Sequence, residues 1–320
     1  MLDDPMCAVE LIPLSSINSY SMRDVLREEH AAWISDLKWD YSEPQQIVSE
    51  LMDRAELSGH VAVIKGQPVG YSYYLCRQDQ GLLGNCFVTA RLDGLGLEEQ
   101  LLRANIDSIR RNPRISRIEA QLVDLRKSRP VRFFEQMGFK SFERYFLLRG
   151  VEPYGLLPLS DKLSVDKWND AALEAAAQLT ALAYEGTADW AIARHYRSAS
   201  ECLDFLCGVI FRPGCGVLLR EASFCIWAHG SQRLAGYILT SVVSTKNGHV
   251  PQVAVAPDYQ GQGLGTALLG RAIRALSEMG YLSVSLSVTR ANHKALSLYG
   301  KLGFRPLFSF DAFAWDQVRV

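Results

Sequence analysis

The run Gln260-Gly261-Gln262-Gly263-Leu264-Gly265 could hold an anion without any charged side chain. It follows the apolar strand-like stretch Val253-Ala254-Val255-Ala256-Pro257 and opens a long amphipathic segment, so the order reads strand, glycine-rich turn, helix start. The first N–H groups of a helix lack intrahelical acceptors and sit at the positive end of the helix dipole. Phosphate fits there, and glycine allows both close backbone approach and positive φ. Neither standard nucleotide motif is present: GxxxxGK followed by Ser or Thr is absent, and Gly261, Gly263 and Gly265 do not make GxGxxG.

Downstream, the helix from about Leu264 to Met279 is closed by Gly280, and the alternating strand Leu282–Val288 follows. Next come Asn292-His293-Lys294-Ala295-Leu296-Ser297-Leu298-Tyr299 and then Gly303-Phe304. The combination VxPxxQGxGxG with NxxAxxxYxxxGF resembles the GNAT superfamily of acyl-CoA-dependent N-acyltransferases over roughly residues 220–310. The resemblance implies direct attack of an acceptor amine on the thioester of acetyl-CoA as co-substrate. It places the thioester and pantetheine beside Val253, Ala254 and Val255, and the pyrophosphate on the amides of Gln260 to Thr266. A strand whose neighbour diverges offers unpaired amides to the oxyanion, and losing one such donor typically costs about 3–4 kcal/mol.

Asn292, Ala295 and Tyr299 share one helical face, which the resemblance turns toward the cofactor. Tyr299 is the candidate general acid, against the alternative of a core aromatic. A phenol has a pKa near 10 and an alkyl thiol one near 8.5, so full proton transfer is uphill by about 2 kcal/mol, and Tyr299 should stabilise the thiolate more than protonate it. Asn292 is also a favoured helix N-cap, and the two roles are compatible. For the general base, His249 is the best-placed titratable group, although Asn247-Gly248 beside it reads as a turn with an exposed histidine. Glu185, Asp189 and His195 are alternatives, in a segment that in this family shapes the acceptor pocket. Tyr184, Trp190 and Tyr196 form either an aromatic wall of that pocket or core.

The N-terminal half repeats the pattern. Arg91-Leu92-Asp93-Gly94-Leu95-Gly96 fits RxxGxG, Gly138-Phe139 answers Gly303-Phe304, and Val69-Gly70-Tyr71 answers Ala235-Gly236-Tyr237. Counting back from each Gly-Phe pair, Phe134 matches Tyr299, Lys127 matches Asn292 and Pro130 matches Ala295. Glu98 and Glu99 occupy the helix start, where they would repel a pyrophosphate. Together these losses predict a catalytically silent first copy, possessing at most a weakened cofactor cleft.

The expected fold is α/β, with two tandem GNAT-type domains that are each a twisted, mixed, largely antiparallel sheet flanked by helices. The boundaries read as 1–150 for a degenerate first domain, 151–161 for a linker rich in turn formers, and 162–320 for the catalytic domain. In the first copy the patterns place a strand at Val9–Ile12, two helices over residues 20–58, a hairpin of His60–Lys65 and Val69–Cys76, and a strand at Leu82–Val88. In the second they place helices at about Lys167–Tyr184 and Ser198–Ile210, and paired strands at Phe224–Trp227 and Leu234–Val243.

Composition sets outer bounds. A formal charge of −1 with 48% apolar residues gives no basic bias for nucleic acid. No apolar run approaches the roughly 20 residues of a membrane span, so a cytoplasmic chain is expected. The seven cysteines, scattered and without CxxC, read as reduced core thiols, and no zinc site or other metal is expected. The tandem layout resembles that of mycothiol synthase and favours a small-molecule amine over a peptide N-terminus. A non-catalytic acyl-CoA-binding module is the remaining alternative. The sequence leaves the oligomeric state open.

Overall fold

Asn18 accepts a hydrogen bond from the Ser21 N–H, and Ser198 accepts one from the Glu201 N–H, so helices open where short polar side chains can hold free amides. The computed structural model describes residues 9–123, 130–152, 155, 158–212, 214–230 and 233–317. Its first elements are β1 (Val9–Pro13), α1 (Ser19–Leu37), α2 (Ser42–Asp53), β2 (Ser58–Ile64), β3 (Gln67–Arg77), β4 (Gln80–Val88) and α3 (Leu97–Arg110). β5 (Arg117–Leu122), α4 (Val131–Gln136), β6 (Lys140–Gly150), β7 (Leu163–Lys167), α5 (Leu173–Tyr184), α6 (Ala188–Ile192) and α7 (Ala199–Phe211) follow. The chain ends with β8 (Val217–Leu218), β9 (Phe224–Ala228), β10 (Arg233–Ser244), β11 (Asn247–Val255), α8 (Leu264–Glu278), β12 (Ser283–Thr289), α9 (His293–Lys301) and β13 (Arg305–Asp316).

Two of these assignments differ from the sequence reading. The helix expected from Lys167 begins at Leu173, because β7 already occupies residues 163–167 and Asn169 caps a short 3-10 turn between them. The turn expected at Asn247-Gly248 lies two residues earlier, at Thr245-Lys246, and β11 starts at Asn247.

The chain divides into two compact units: residues 1–142 with 310–320, and residues 143–309. Unit 1 orders its strands β1-β2-β3-β4-β5-β13, and unit 2 orders them β6-β12-β11-β10-β9-β7 with β8 beside β10. Only β4–β5 and β11–β12 pair in parallel among these strand pairs of the described residues, so each sheet is mixed and largely antiparallel.

The final strands of the two repeats have changed places. Asp311 to Asp316 of β13 pair with Leu122 to Arg117 in unit 1, and Arg144 to Gly150 of β6 pair with Thr289 to Ser283 in unit 2. The units therefore do not follow the expected division at 1–150, 151–161 and 162–320. β6 ends at Gly150, and of the expected linker Pro153, Tyr154, Leu156 and Leu157 lie outside the described residues.

Two ion pairs accompany the exchange. Arg117 is 2% exposed and is held by Glu119 and, at 2.6 Å, by Asp316 of β13. Counting from each Gly-Phe pair, Val151 is the residue of the first repeat that matches Asp316, so β6 beside β5 would offer buried Arg117 a methyl group. Likewise Glu143 pairs with Arg290 at 2.5 Å, and the matching residue of the second repeat is Phe308. Arg117 keeps Glu119 in either arrangement and the Arg290 side chain is exposed, so the two pairs favour the observed partners only modestly.

In unit 2, Leu264, Leu268, Leu269, Ile273 and Leu276 of α8 pack on Ile226, Ile238, Val250, Val284 and Leu286 of the sheet. In unit 1 the Phe134 ring stacks on Phe313 of β13 with centroids 3.8 Å apart. None of the described helices is long and apolar enough to cross a membrane. Cys202 and Cys225 are buried thiols, pushed up to about 12 by burial, but Cys76 is exposed, so the cysteines are not uniformly core.

A buried carboxyl distinguishes unit 1. Glu29 accepts from Tyr71 Oη at 2.7 Å and from Asn85 Nδ2, and burial raises its pKa to about 7. In unit 2 the matching Tyr237 hydroxyl meets Thr180 Oγ1 at 2.6 Å instead. A folded pKa raised above the unfolded value favours the protonated state, so this stability is complete below about pH 4.5 and is lost as pH rises through about 7. The loss is about 3 kcal/mol at 1.36 kcal/mol per pH unit. Melting curves between pH 5 and 8 should show wild type losing stability and Glu29→Gln holding level; parallel curves would sink the assignment.

Candidate active site

Pro251 starts the site by what it lacks. β11 and β12 pair only over Asn247–Val250 and Ser283–Leu286, whereas β11 stays paired with β10 through Val255. At Val250-Pro251 the β10–β11 register slips by one residue, and proline has no N–H for the β12 ladder, so the two parallel strands part there. Ala256 N–H donates to Ala235 on β10 at 2.9 Å. By the two-residue alternation of a strand, the amides of Val253 and Val255 then face the opposite side, into the gap. The carbonyls on that side take side-chain donors: Tyr184 Oη reaches Val253 O at 3.4 Å and Gln260 Nε2 reaches Val255 O at 3.2 Å.

Beyond the strand, residues 257–259 make a 3-10 turn, and Gly261 and Gly263 take φ of 76° and 83°. Gly263 is the N-cap of α8, whose first intrahelical bond is Ala267 N–H to Gly263 O at 2.9 Å. The N–H groups of Leu264, Gly265 and Thr266 are thus left pointing out of the helix start. A Cβ at Gly261 or Gly263 would meet nothing within 4 Å, so the space above this turn is open. Gly265 has a different reason: its Cβ would come to 3.0 Å from Leu298 Cδ2, so it lets α8 pack closely on α9.

A cavity of about 830 Å³ runs along this surface. Its lining includes Val253, Ala254, Val255, Gln260, Gly261, Gly263, Leu264, Gly265, Thr266, Asn292, Ala295 and Tyr299. Of the residues singled out in the loop, only Gln262 is not in the lining; its Nε2 donates to Asp258 O at 2.8 Å and braces the turn. Asn292 does both things its type allows, because its Oδ1 accepts from Ala295 N–H at 3.1 Å while the residue borders the cavity. Tyr299 is 7% exposed, and burial followed by the charge of Asp189 raises its pKa above 10.

A second chamber of about 80 Å³ adjoins, sharing Tyr184, Val253, Asn292 and Tyr299 with the larger cavity. Here the structure brings together Asp189, Tyr196, His249, Gln252 and Arg144. Tyr184 and Tyr196 stack with centroids 4.1 Å apart, and Gln252 links them through Nε2 to Tyr184 Oη at 3.0 Å and Oε1 from Tyr196 Oη at 3.2 Å. Asp189 accepts from Thr289 Oγ1 at 2.8 Å and lies 3.5 Å from Arg144.

His249 is not the exposed loop residue that its neighbours suggested. It is 6% exposed on β11, with Nδ1 2.9 Å from Ser285 Oγ, and burial lowers its pKa to about 4. His195 stacks on Phe205 at 4.1 Å, and burial together with the Arg144 charge takes it to about 3. Neither His195 nor the exposed Glu185 lines the two cavities, and Trp190 instead lies under Arg197 at 4.9 Å. Arg144 and Gln252 escaped the sequence reading. Gln252 was legible as the polar residue just before the apolar stretch Val253–Ala256, but Arg144 comes from the other repeat. Among the described residues no group of three His, Cys, Asp or Glu side chains could hold a metal ion.

Unit 1 keeps the backbone of the site and loses its side chains. Gly94 and Gly96 take φ of 75° and 72°, and α3 begins at Leu97 with Glu98 and Glu99 in its first turn. Phe134 is fully buried among Phe133, Phe139 and Phe313; Lys127 lies outside the described residues.

A parted parallel strand pair, a glycine turn at a helix start and a tyrosine on the next helix define an acyl-CoA-type cleft. Residues 185–304, all within unit 2, match the Acetyltransferase (GNAT) family. It is 40% identical over 72 residues to the [ribosomal protein bS18]-alanine N-acetyltransferase of Escherichia coli (strain K12), covering 22% of this chain and 48% of that one. It is 38% identical over 88 residues to the mycothiol acetyltransferase of an Arthrobacter species (strain FB24), covering 26% and 27%. The chain thus spans about half or less of the length of these curated relatives. A solved GCN5-related N-acetyltransferase from Sphaerobacter thermophilus shares the fold at a TM-score of 0.69 and 16% identity, over 96% of this chain and 95% of that one. The likeness therefore runs through both units.

Proposed function

We propose that this protein is an N-acetyltransferase whose unit 2 moves an acetyl group from acetyl-CoA to a primary amine by direct attack in a ternary complex. The carrying observation is the gap beside Val253 and Val255, where backbone amides face a cavity that ends at the open turn of Gly261 and Gly263. The bound thioester supplies the electrophilic carbonyl. The amides of Val253 and Val255 hold its oxygen as charge develops, and those of Leu264, Gly265 and Thr266 hold phosphate at the helix start.

Tyr299 donates a hydrogen bond to the departing sulfur. Its raised pKa widens the mismatch with a thiol, so it stabilises the thiolate without surrendering its proton. His249 receives the proton of the amine. Burial lowers its pKa to about 4, so the neutral ring takes the proton only in passing and hands it on to water. Unit 1, with Phe134 in place of the phenol and two acids at the helix start, is catalytically silent, and the site is cytoplasmic.

The adjoining chamber of about 80 Å³ favours a small-molecule acceptor. Peptide N-terminal acetylation is the second reading, favoured by the likeness to the ribosomal-protein enzyme. Thiol release from acetyl-CoA over a panel of amines, amino-acid derivatives and peptides tests both. No release with any acceptor would leave a non-catalytic acyl-CoA-binding module. Tyr299→Phe should lower kcat by about 10²-fold while leaving acetyl-CoA affinity nearly unchanged, since the lost interaction belongs to the transition state. With chemistry rate-limiting, a kcat within about twofold of wild type would make Tyr299 structural.

A further inference from the structure

The adjoining chamber carries more charge than an amine needs. Of its described lining, Asp189 and Arg144 hold the formal charges; they stand 3.5 Å apart, and each residue is less than a tenth exposed. The other polar groups, Tyr184, Tyr196 and Gln252, are uncharged, and burial keeps His249 neutral. The oxyanion of the thioester is held by the amides of Val253 and Val255, so acyl transfer itself leaves the guanidinium without a task, and its charge helps to push His195 down. Burying an ion pair also brings a desolvation cost, which apolar residues of similar size would not.

Arg144 is moreover specific to the strand that was exchanged. It sits five residues after Phe139 on β6, and the residue at the same count after Phe304 on β13 is Ser309. Without the exchange, a hydroxyl would stand where the guanidinium stands.

Resting on the acetyltransferase reading, we propose that the acceptor is a compact zwitterionic amine, an amino acid bound with its ammonium on Asp189 and its carboxylate on Arg144. The two charges of such a molecule lie a few bonds apart, the scale of the gap between these side chains. Guanidinium has five donors in a fork that matches a carboxylate, so Arg144 can hold one while still facing Asp189. The chamber has room for little more: at about 80 Å³, against roughly 30 Å³ for the share of one water, it takes a handful of heavy atoms. The ammonium passes one proton through His249 to water, the nitrogen lone pair forms the new bond to the thioester carbon, the second proton of that nitrogen is lost to water, and the carbon–sulfur bond breaks as the thiolate leaves with a hydrogen bond from Tyr299. Asp189 and Arg144 act as binding groups, and neither changes its covalent state.

The test uses the full chain with acetyl-CoA and matched acceptors: glycine, alanine and β-alanine, their amides, and the corresponding decarboxylated amines. At least one free amino acid should exceed its amide and its decarboxylated partner by about tenfold or more in kcat/KM, although the amide holds more free base at neutral pH. Arg144→Lys keeps the charge and loses the fork, so it should raise KM for the amino acid by about tenfold and shrink the preference for the amino acid over its decarboxylated amine by about the same factor. Amides equal to their acids, or a variant that weakens all acceptors alike, would overturn the proposal. If no acceptor releases thiol, the acetyltransferase reading fails, and calorimetric binding to the protein with CoA decides the chamber separately. Amino acid bound in preference to amide upholds the zwitterion site, and no preference removes it.

Discussion

A fragment that starts at Lys162 should fail to form a unit able to bind acetyl-CoA, whereas one spanning Lys140 to Ser309 should melt cooperatively and bind it. The expected domain of residues 162–320 contains β12 but not its antiparallel partner, since Arg144 to Gly150 fill that place. Phe146 and Leu147, 3% and 2% exposed, leave with the strand, as does Val151 at 5%. At roughly 2 kcal/mol for each buried side chain, about 6 kcal/mol of burial disappears, which matches the whole stability of many domains. The seven paired residues of β12, Ser283 to Thr289, would also become an open edge prone to association. Thermal melting followed by circular dichroism, with calorimetric titration of acetyl-CoA, checks both fragments. If residues 162–320 fold and bind as tightly as 140–309, β13 can replace β6, and the exchange is not required by unit 2.

Gly263→Asp should weaken acetyl-CoA by about a thousandfold, while Gly94→Asp should change it little. Both glycines adopt positive φ, at 83° and 75°, and a Cβ at either would meet nothing within 4 Å. Backbone strain is thus equal in the two variants, about 1–2 kcal/mol, and cancels in the comparison. What differs is the ligand. If phosphate rests on the amides after Gly263, the new carboxylate meets it at close range, and like charges about 4 Å apart cost about 4 kcal/mol at an effective dielectric of 20. In unit 1, Glu98 and Glu99 already oppose an anion at that turn. Calorimetry on wild type should give a stoichiometry near one per chain. Equal losses for the two substitutions, or two equivalent tight sites, would mean that the loops are wrongly assigned.

The local features were legible in the sequence because neighbours along the chain produce them. Glycine spacing announced the turn at Gly261 and Gly263, an asparagine announced the cap of α9, and apolar periodicity announced α8. The repeat, too, could be read from two Gly-Phe pairs. Other features depend on which strand lies beside which. His249 looked exposed because Asn247-Gly248 is a turn signal, but the turn falls at Thr245-Lys246, and pairing with β10 and β12 buries the ring.

Arg144 is the sharper case. Nothing around it marks a site, and it lies 45 residues before Asp189 and in the other repeat. It reaches the chamber because β6 pairs with β12, an arrangement in which buried Arg117 also takes Asp316 from β13 and Glu143 takes Arg290. Glycine φ, capping and periodicity are properties of a few successive residues, so the sequence alone determined the glycine turn and the helix that bears Tyr299. Partner choice between similar strands is a small energy difference that depends on residues far apart in the chain, so only the tertiary structure decided where the units divide and which side chains line the small chamber.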